Sequence, residues 1–227
     1  MNSIIIVAGG KGLRMGSDIP KQFLVLKSEP VIMHTIKAFY NWDKDCEIIL
    51  VLPSSQQSYW QLLVNQYDFD IPVKITTGGK TRFESVKNGL QKSSGDIIGI
   101  HDGVRPLVSE KTIKKCYEVS KSHGNAIPCV PIVDSLRVVT NGKNQMTDRS
   151  KYFRIQTPQV FKRAIILKGF EQNFSEEFTD DASVVEKTGE TIQLVEGNEE
   201  NIKITNPFDL KIAAVLLEEA HNFNFMK

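Results

Sequence analysis

Short apolar runs alternate with longer amphipathic segments along this chain. Segments rich in isoleucine, leucine and valine lie at residues 4–8, 47–52 and 96–101. Continuous apolar runs of this length are typical of strands that are buried on both faces of a parallel sheet. Shorter runs predict three further strands, at residues 73–76, 126–130 and 192–196.

The segments between these runs carry apolar residues at helical spacing. They predict helices at residues 30–40, 54–67, 109–123, 160–171 and 179–187, another beginning after Thr81, and a last one that Asn206-Pro207 opens. Hydroxyl residues stand where N-caps are expected: Ser54 or Ser55, Thr81, Ser109 and Thr179. The alternation predicts an α/β fold, with a Rossmann-like, mostly parallel sheet and helices on both faces. At 227 residues, the chain is expected to form a single domain, 1–227.

Residues 134–152 depart from this pattern. Asn141-Gly142 is a strong hairpin-turn signal, flanked by candidate strands at residues 135–139 and 145–148. The segment has few apolar residues, and an isolated two-stranded ribbon is marginal in water. We therefore expect a hairpin arm that protrudes from the domain and packs on a second copy of the chain, forming a homodimer.

The strongest chemical signal follows the first strand. Four glycines fall within eight residues, at Gly9, Gly10, Gly12 and Gly16. Glycine lets a ligand approach the main chain closely, and successive N–H groups can form a nest for an anion. Arg14 and Lys21 add positive charge beside the loop. The combination predicts a polyphosphate site.

Spacing narrows the kind of polyphosphate site. No segment fits the P-loop pattern, and Gly10, Gly12 and Gly16 are one residue too widely spaced for a dinucleotide fingerprint. A tight strand-to-helix turn would explain the glycines alone, but not the two cations. The pattern G-G-x-G-x-R-x-G with P-K-Q downstream resembles nucleotidyltransferases that join a nucleoside triphosphate to a phosphorylated small molecule.

Two other loops follow predicted strands and should meet this one, because ligands bind beyond the carboxyl ends of parallel strands. Residues 77–85 contain Lys80, Arg82 and Ser85, and Ser85 is expected to donate to a base or ribose. In residues 101–106, Asp102 stands at a strand end, where a buried carboxylate needs a cationic partner. Mg²⁺ suits this position because it binds one or two carboxylates together with phosphate oxygens. His101 is interpreted as structural.

Further cations can serve a second phosphate, that of the acceptor. They lie near predicted strand ends or on the arm: Arg105, Arg149, Arg154 and Lys203. Two polar segments, residues 157–159 and 201–205, accompany them.

Composition excludes several classes of protein. The formal net charge is +1, which gives no electrostatic footprint for nucleic acid. Three widely separated cysteines argue for reduced thiols in a cytoplasmic protein. The N-terminal apolar run is too short for a signal peptide or a membrane span.

Seven segments resemble the 2-C-methyl-D-erythritol 4-phosphate cytidylyltransferases of the non-mevalonate isoprenoid pathway. They are A-G-G-K-G-L-R-M-G, P-K-Q-F, G-G-K-T-R-F-E-S-V, H-D-G-V-R-P, T-P-Q-V-F, T-D-D-A-S and E-G-N-E-E-N-I-K-I-T. The first three also fit ribitol 5-phosphate cytidylyltransferases, whereas the last two favour the erythritol enzymes. Gly103 replaces a frequent alanine of the family, and Ser135 replaces a threonine.

The resemblance implies a set of residue roles. Ala8, Gly9, Gly10 and Gly12 would bind the triphosphate of CTP, Gly78, Gly79 and Ser85 would surround the cytosine, and Asp102, followed by Gly103, would bind Mg²⁺. Arg14 and Lys21 would stabilise the transition state. Arg105, Thr157 and Lys203 would hold the acceptor, a small polyol phosphate, with Ser135 and Arg149 arriving from the arm of a second copy. Arg149 is preferred to Arg154 because it lies eight residues before Thr157.

These roles predict transfer of CMP from CTP to 2-C-methyl-D-erythritol 4-phosphate. Ribitol 5-phosphate is the alternative acceptor. A nucleotide-binding module without turnover is a third interpretation, which the joint presence of Arg14, Lys21, Asp102 and Lys203 disfavours.

Overall fold

Strands and helices alternate along most of the computed structural model, which describes residues 1–10 and 19–224. The strands are β1 (Asn2–Val7), β2 (Val25–Leu26), β3 (Glu29–Pro30), β4 (Glu47–Leu52), β5 (Lys74–Thr77), β6 (Ile97–Asp102), β7 (Asn125–Pro131), β8 (Leu136–Thr140), β9 (Lys143–Thr147), β10 (Phe153–Ile155), β11 (Gln159–Lys162) and β12 (Leu194–Glu196). The α-helices are α1 (Val31–Trp42), α2 (Ser54–Gln66), α3 (Arg82–Lys92), α4 (Glu110–His123), α5 (Arg163–Phe170), α6 (Asp181–Glu186) and α7 (Pro207–Asn224). Short 3-10 helices cover Lys21–Phe23 and Arg149–Lys151.

The predicted mostly parallel sheet is confirmed. Its strand order is β10-β7-β11-β6-β1-β4-β5, and β12 pairs with β7. Strand β1 lies between β4 and β6 and is parallel to both, while β5 continues parallel to β4. Ile4, Ile5 and Ile6 are fully buried, as a continuous apolar run in a two-sided sheet requires.

Helices cover both faces of the sheet, as predicted. One face packs against α1, α2 and α4 through side chains such as Phe39, Trp60 and Tyr117. The other packs against α3, α5 and α6, where Phe83 and Phe170 stack with their ring centroids 4.6 Å apart. A third, smaller apolar cluster lies under α7 and contains Leu26, Val104 and Ile204.

The prediction of a helix beginning at residue 160 is wrong. Residues Gln159–Lys162 form β11, which is antiparallel to both β6 and β7, and α5 begins at Arg163. Val160 and Phe161 point to opposite faces and join different clusters. Two adjacent apolar residues between polar ones do not distinguish a short buried strand from the first turn of a helix.

Helix caps follow the predictions in part. Thr81 and Ser109 accept hydrogen bonds from the backbone N–H three residues later, as predicted. For α2, Pro53 occupies the N-cap position and no side chain caps the helix. For α6, Asp180 rather than Thr179 is the cap, because its carboxylate accepts from the Ser183 N–H at 2.8 Å.

Strands β8 and β9 pair antiparallel to form a two-stranded sheet of their own. Asn141 and Gly142 both have positive φ, at 50° and 75°. This conformation is that of a type I′ hairpin turn, which the Asn-Gly pair predicted. The hairpin residues are largely exposed, including Val139 and Met146.

Candidate active site

The loops that follow β1, β5 and β6 converge on one cleft of about 320 Å³. Eleven residues that the sequence analysis named as candidates line this cleft: Ala8, Gly9, Gly10, Lys21, Gly78, Gly79, Lys80, Arg82, Ser85, Asp102 and Lys203. Gln22 lines it as well. Two further candidates, Gly12 and Arg14, lie outside the described residues.

Asp102 lies at the end of β6 and lines the cleft. Its Oδ2 atom is 3.0 Å from Arg105 Nε and 3.0 Å from Lys203 Nζ. Burial opposes ionisation of Asp102, but the positive charges of Lys203, Arg82 and Arg105 outweigh it and hold the pKa well below its usual range. The carboxylate is therefore ionised and forms ion pairs with two cations of the predicted acceptor site, Arg105 and Lys203.

The fully buried side chain of His101 connects Arg105 with Thr157, two residues of the predicted acceptor site. Its Nε2 donates to the Arg105 carbonyl at 3.0 Å, and its Nδ1 accepts from the Thr157 hydroxyl at 3.0 Å. The Thr157 oxygen in turn accepts from the Asp102 N–H at 3.1 Å. Burial is the main cause that lowers the pKa of His101, to about 4. A neutral imidazole with both nitrogens engaged agrees with the structural interpretation.

This buried histidine should make the protein less stable to acid. The unfolded chain binds a proton at the ordinary pKa of 6.5 and the folded chain at about 4, so the free energy of unfolding should fall as pH drops through this window. The contribution, fully present above pH 6.5, should amount to about 3 kcal/mol. Urea denaturation at a series of pH values measures it. His101→Gln should flatten that part of the profile, and an unchanged slope in this variant would show that His101 is not its cause.

Arg82, which lines the cleft, forms an ion pair with Asp181, and the sequence did not predict this pair. Arg82 donates from Nη1 and Nη2 to the two carboxylate oxygens of Asp181, at 2.7 and 2.6 Å. The side chain of Asp181 is entirely buried, and that of Arg82 is 34% exposed. Burial alone would lower the pKa of Arg82, but the Asp181 carboxylate reverses this and raises it. The pair joins α3 to α6 and fixes the guanidinium at the wall of the cleft.

The β5–α3 loop is held from within the protein. The Gly79 N–H donates to Ser85 Oγ at 3.0 Å, and the Ser85 hydroxyl donates to the Thr81 carbonyl at 2.9 Å. The predicted donation from Ser85 to a base or ribose therefore does not fit this arrangement, in which the hydroxyl offers only a lone pair to the cleft. Gly79 is required here because a Cβ atom would overlap Glu84.

Lys21 and Gln22 lie on the short helix after the glycine loop. Lys21 Nζ donates to the Ile204 carbonyl at 3.3 Å, and this contact brings it near the segment that carries Lys203. Gln22 is fully buried and donates to the Ala8 carbonyl at 2.9 Å, so it fixes the end of β1. The P-K-Q segment contained Gln22, but no spacing in the chain could assign it this contact.

Gly103 has a packing role at the end of β6. Its N–H donates to the Val7 carbonyl at 2.9 Å. A Cβ atom would lie 2.8 Å from Ile32 Cδ1 and 2.9 Å from Ala8 Cβ. Glycine therefore allows the β6 turn to approach β1 closely.

The arm residues lie apart from this cleft. Ser135 and Arg149 are exposed and are not among the described residues that line it. Arg149 donates to the Val133 carbonyl, and Arg154 forms an ion pair with Glu199. Within one chain, the structure therefore does not place Ser135 or Arg149 at the cleft.

Neither a multi-residue metal site nor a membrane span is found in the described part of the chain. Among residues 1–10 and 19–224, no three His, Cys, Asp or Glu side chains are grouped to hold a metal ion. No described helix is both long and apolar enough to cross a bilayer.

Comparison with known proteins identifies the family. The sequence profile described as 2-C-methyl-D-erythritol 4-phosphate cytidylyltransferase matches residues 2–219. An enzyme of that name from Bacteroides thetaiotaomicron is 50% identical over 216 residues, covering 95% of this chain and 99% of the relative. One from Phocaeicola vulgatus is 51% identical over 215 residues, covering 94% and 98%.

Solved structures agree with this assignment. The 4-diphosphocytidyl-2C-methyl-D-erythritol synthase of Anaerococcus prevotii matches with a TM-score of 0.81 at 26% identity, covering 95% of each chain. The 2-C-methyl-D-erythritol 4-phosphate cytidylyltransferase of Thermus thermophilus matches with a TM-score of 0.78 at 28% identity, covering 95% of this chain and 98% of the other. The chain therefore belongs to the 2-C-methyl-D-erythritol 4-phosphate cytidylyltransferase family.

Proposed function

We propose that this enzyme transfers CMP from CTP to 2-C-methyl-D-erythritol 4-phosphate in the synthesis of isoprenoid precursors. The products are 4-diphosphocytidyl-2-C-methyl-D-erythritol and pyrophosphate. The observation that carries the proposal is the cleft in which Gly9, Gly10, Lys21, Asp102 and Lys203 meet. Relatives about half identical in sequence bear the name of this activity.

The chemistry of the reaction matches the residues of the cleft. The acceptor's phosphate monoester is largely dianionic at neutral pH, since its second pKa is about 6. It can attack the α-phosphorus of CTP without a general base, while the bond to the leaving pyrophosphate breaks in line. Two anions must meet, so the main task of the protein is to align them and to neutralise their charge.

Each candidate residue then has a role in this proposal. Ala8, Gly9, Gly10 and Gly12 cradle the triphosphate, and Gly78, Gly79 and Ser85 surround the cytosine. Arg14 and Lys21 stabilise the charge that develops on the reacting phosphate. Arg105, Thr157 and Lys203 bind the acceptor around Asp102.

The donor set at Asp102 fits Mg²⁺. Its contacts to Arg105 and Lys203 both fall on Oδ2. A single carboxylate that faces a triphosphate site suits an ion held mainly by phosphate oxygens. When bound, Mg²⁺ would neutralise charge on the phosphates and on the departing pyrophosphate.

A pyrophosphate-release assay tests the function. The enzyme is supplied with CTP and either 2-C-methyl-D-erythritol 4-phosphate, ribitol 5-phosphate or erythritol 4-phosphate, with and without excess chelator. We expect release with the methylerythritol phosphate and its loss on chelation. Preference for ribitol 5-phosphate would overturn the acceptor, undiminished release in chelator would overturn the metal, and no release with any acceptor would leave a nucleotide-binding module.

The active unit in this proposal is a homodimer. The arm, residues 134–152, exposes apolar side chains such as Val139 and Met146 and has little core of its own. A two-fold axis makes the exchange of such arms mutual. Ser135 and Arg149 from the arm of a second copy would then complete the acceptor site.

Mixing two inactive variants, Lys21→Ala and Arg149→Ala, should restore activity. In a mixed dimer, one site carries both lesions and the other carries neither. Random subunit exchange should therefore return up to about a quarter of wild-type turnover. Arg154→Ala is the matched control and should remain active alone, because Arg154 pairs with Glu199 of its own chain. If native mass spectrometry shows exchange and no activity returns, Arg149 does not act across the interface.

A further inference from the structure

Asn201 is a buried residue that contacts both Arg105 and Thr157 of the proposed acceptor site. It belongs to the segment E-G-N-E-E-N-I-K-I-T, in which only Lys203 has a role so far. Its side chain is fully buried. Its backbone N–H donates to the Asn198 carbonyl at 3.1 Å, so the residue is fixed in a turn before Lys203.

Two residues of the proposed acceptor site contact Asn201 directly. Its Nδ2 donates to the Thr157 carbonyl at 2.8 Å. Its own backbone carbonyl accepts from Arg105 Nη1 at 2.8 Å. A single residue therefore sets the distance between Arg105 and Thr157, which lie on different loops.

The same residue controls a third member of the group. Lys203 follows Asn201 by two positions and reaches Asp102 Oδ2 at 3.0 Å. The backbone on the C-terminal side of Lys203 is also fixed, because the Ile204 N–H donates to the Val104 carbonyl at 2.9 Å. Hydrogen bonds of Asn201 and Ile204 therefore fix the backbone on both sides of Lys203.

The side-chain amide of Asn201 is only half satisfied. Its Oδ1 is buried and has no hydrogen-bond partner in the described structure. A buried acceptor without a partner carries a desolvation penalty that an apolar side chain would avoid. The contact that the amide makes is the donation to Thr157, with a longer one of 3.4 Å to Gln156.

We propose that Asn201 is a positioning residue for the acceptor site, holding Arg105, Thr157 and Lys203 at the spacing that one phosphate requires. The inference rests on the proposed function, in which these three residues bind the acceptor. Residues of the CTP side, such as Gly9 and Ser85, lie on other loops. Loss of the Asn201 amide should therefore weaken acceptor binding and spare CTP binding.

Asn201→Asp and Asn198→Asp form a matched pair that tests this role. Each replaces an amide donor to a backbone carbonyl with a carboxylate oxygen: Asn201 donates to Thr157, and Asn198 donates to Leu107 at 3.0 Å. Asn198 otherwise serves the start of α4, because its Oδ1 accepts from the Ser109 N–H at 3.1 Å. A purely structural role of Asn201 would lower the Tm without raising the acceptor KM selectively.

For Asn201→Asp, we expect the acceptor KM to rise by about tenfold or more, with the KM for CTP within about twofold. Asn198→Asp should leave both KM values within about twofold of wild type and lower only the Tm. Asn201→Ser, which lacks the reach to Thr157, should reproduce the selective rise if the aspartate variant does not fold.

Equal rises in both KM values, or an unchanged acceptor KM in a folded Asn201 variant, would overturn the positioning role while the wild-type activity stands. A wild-type enzyme that turns over none of the acceptors would instead overturn the proposed function, and the positioning role would fail with it. Wild-type turnover is therefore measured first, and the two failures are distinguished by that result.

Discussion

Replacing Lys21 with alanine should reduce turnover by about 10²–10³-fold while the fold remains intact, because a preorganised charge is removed from the site of the reaction. Lys21 lines the cleft together with Gly10 and Lys203. Its Nζ also donates to the Ile204 carbonyl at 3.3 Å, and this hydrogen bond restricts the position of the ammonium group at the cleft. Steady-state kcat, with circular dichroism to check folding, measures the effect.

Lys27→Ala is the matched control for this loss. Lys27 lies six residues later, is partly exposed and pairs with Glu218 at 2.6 Å. Removal of a surface ion pair should leave turnover within about twofold of wild type. A Lys21→Ala enzyme that keeps more than roughly a third of wild-type turnover would show that Lys21 does not stabilise the transition state.

Changing Asp181 to asparagine should lower the free energy of unfolding by about 2–3 kcal/mol. Loss of one partner from a buried ion pair typically costs about 3–5 kcal/mol, and the partial exposure of Arg82 reduces this. The asparagine has nearly the same shape, so the change isolates the charge. Urea denaturation at neutral pH measures the difference.

A double variant, Arg82→Met with Asp181→Leu, separates the charge from the packing. With both charges removed, much of the lost stability should return, although Arg82 is also lost from the cleft wall. Asp180→Asn is a control at the adjacent residue, because it removes a charge from the N-cap of α6 and leaves the Arg82–Asp181 ion pair in place. If Asp181→Asn unfolds at the same urea concentration as wild type, the ion pair contributes nothing net.

The central strands could be predicted from sequence because burial on both faces leaves a direct trace. Ile4 to Ile6 are apolar without interruption and are all fully buried. No such trace marks Val160 and Phe161, which are two apolar residues between Gln159 and Lys162 and form a strand inserted antiparallel. Strand direction is decided by partners elsewhere in the chain, and a local pattern does not carry that information.

In the candidate site too, local features could be predicted from the sequence, and contacts between distant residues could not. Glycines next to a strand, together with Arg14 and Lys21, predict a phosphate loop from the sequence, whereas contacts between distant charged residues depend on the fold. Arg82 and Asp181 are 99 residues apart in sequence, so no spacing could indicate their contact. The double engagement of Asp102 by Arg105 and Lys203 was also beyond sequence reasoning, although each residue was a candidate by itself.

The contact between Lys21 and Ile204 joins segments that are 183 residues apart in the chain. During synthesis the ribosome makes about 5–20 residues per second, so the first segment waits on the order of ten seconds or more for the second. Over that interval a nascent chain has β1 and its glycine loop but lacks Lys203, Asn201 and the α7 cover. Catalytic competence in this protein is therefore acquired late in synthesis, after most of the sheet has had time to form.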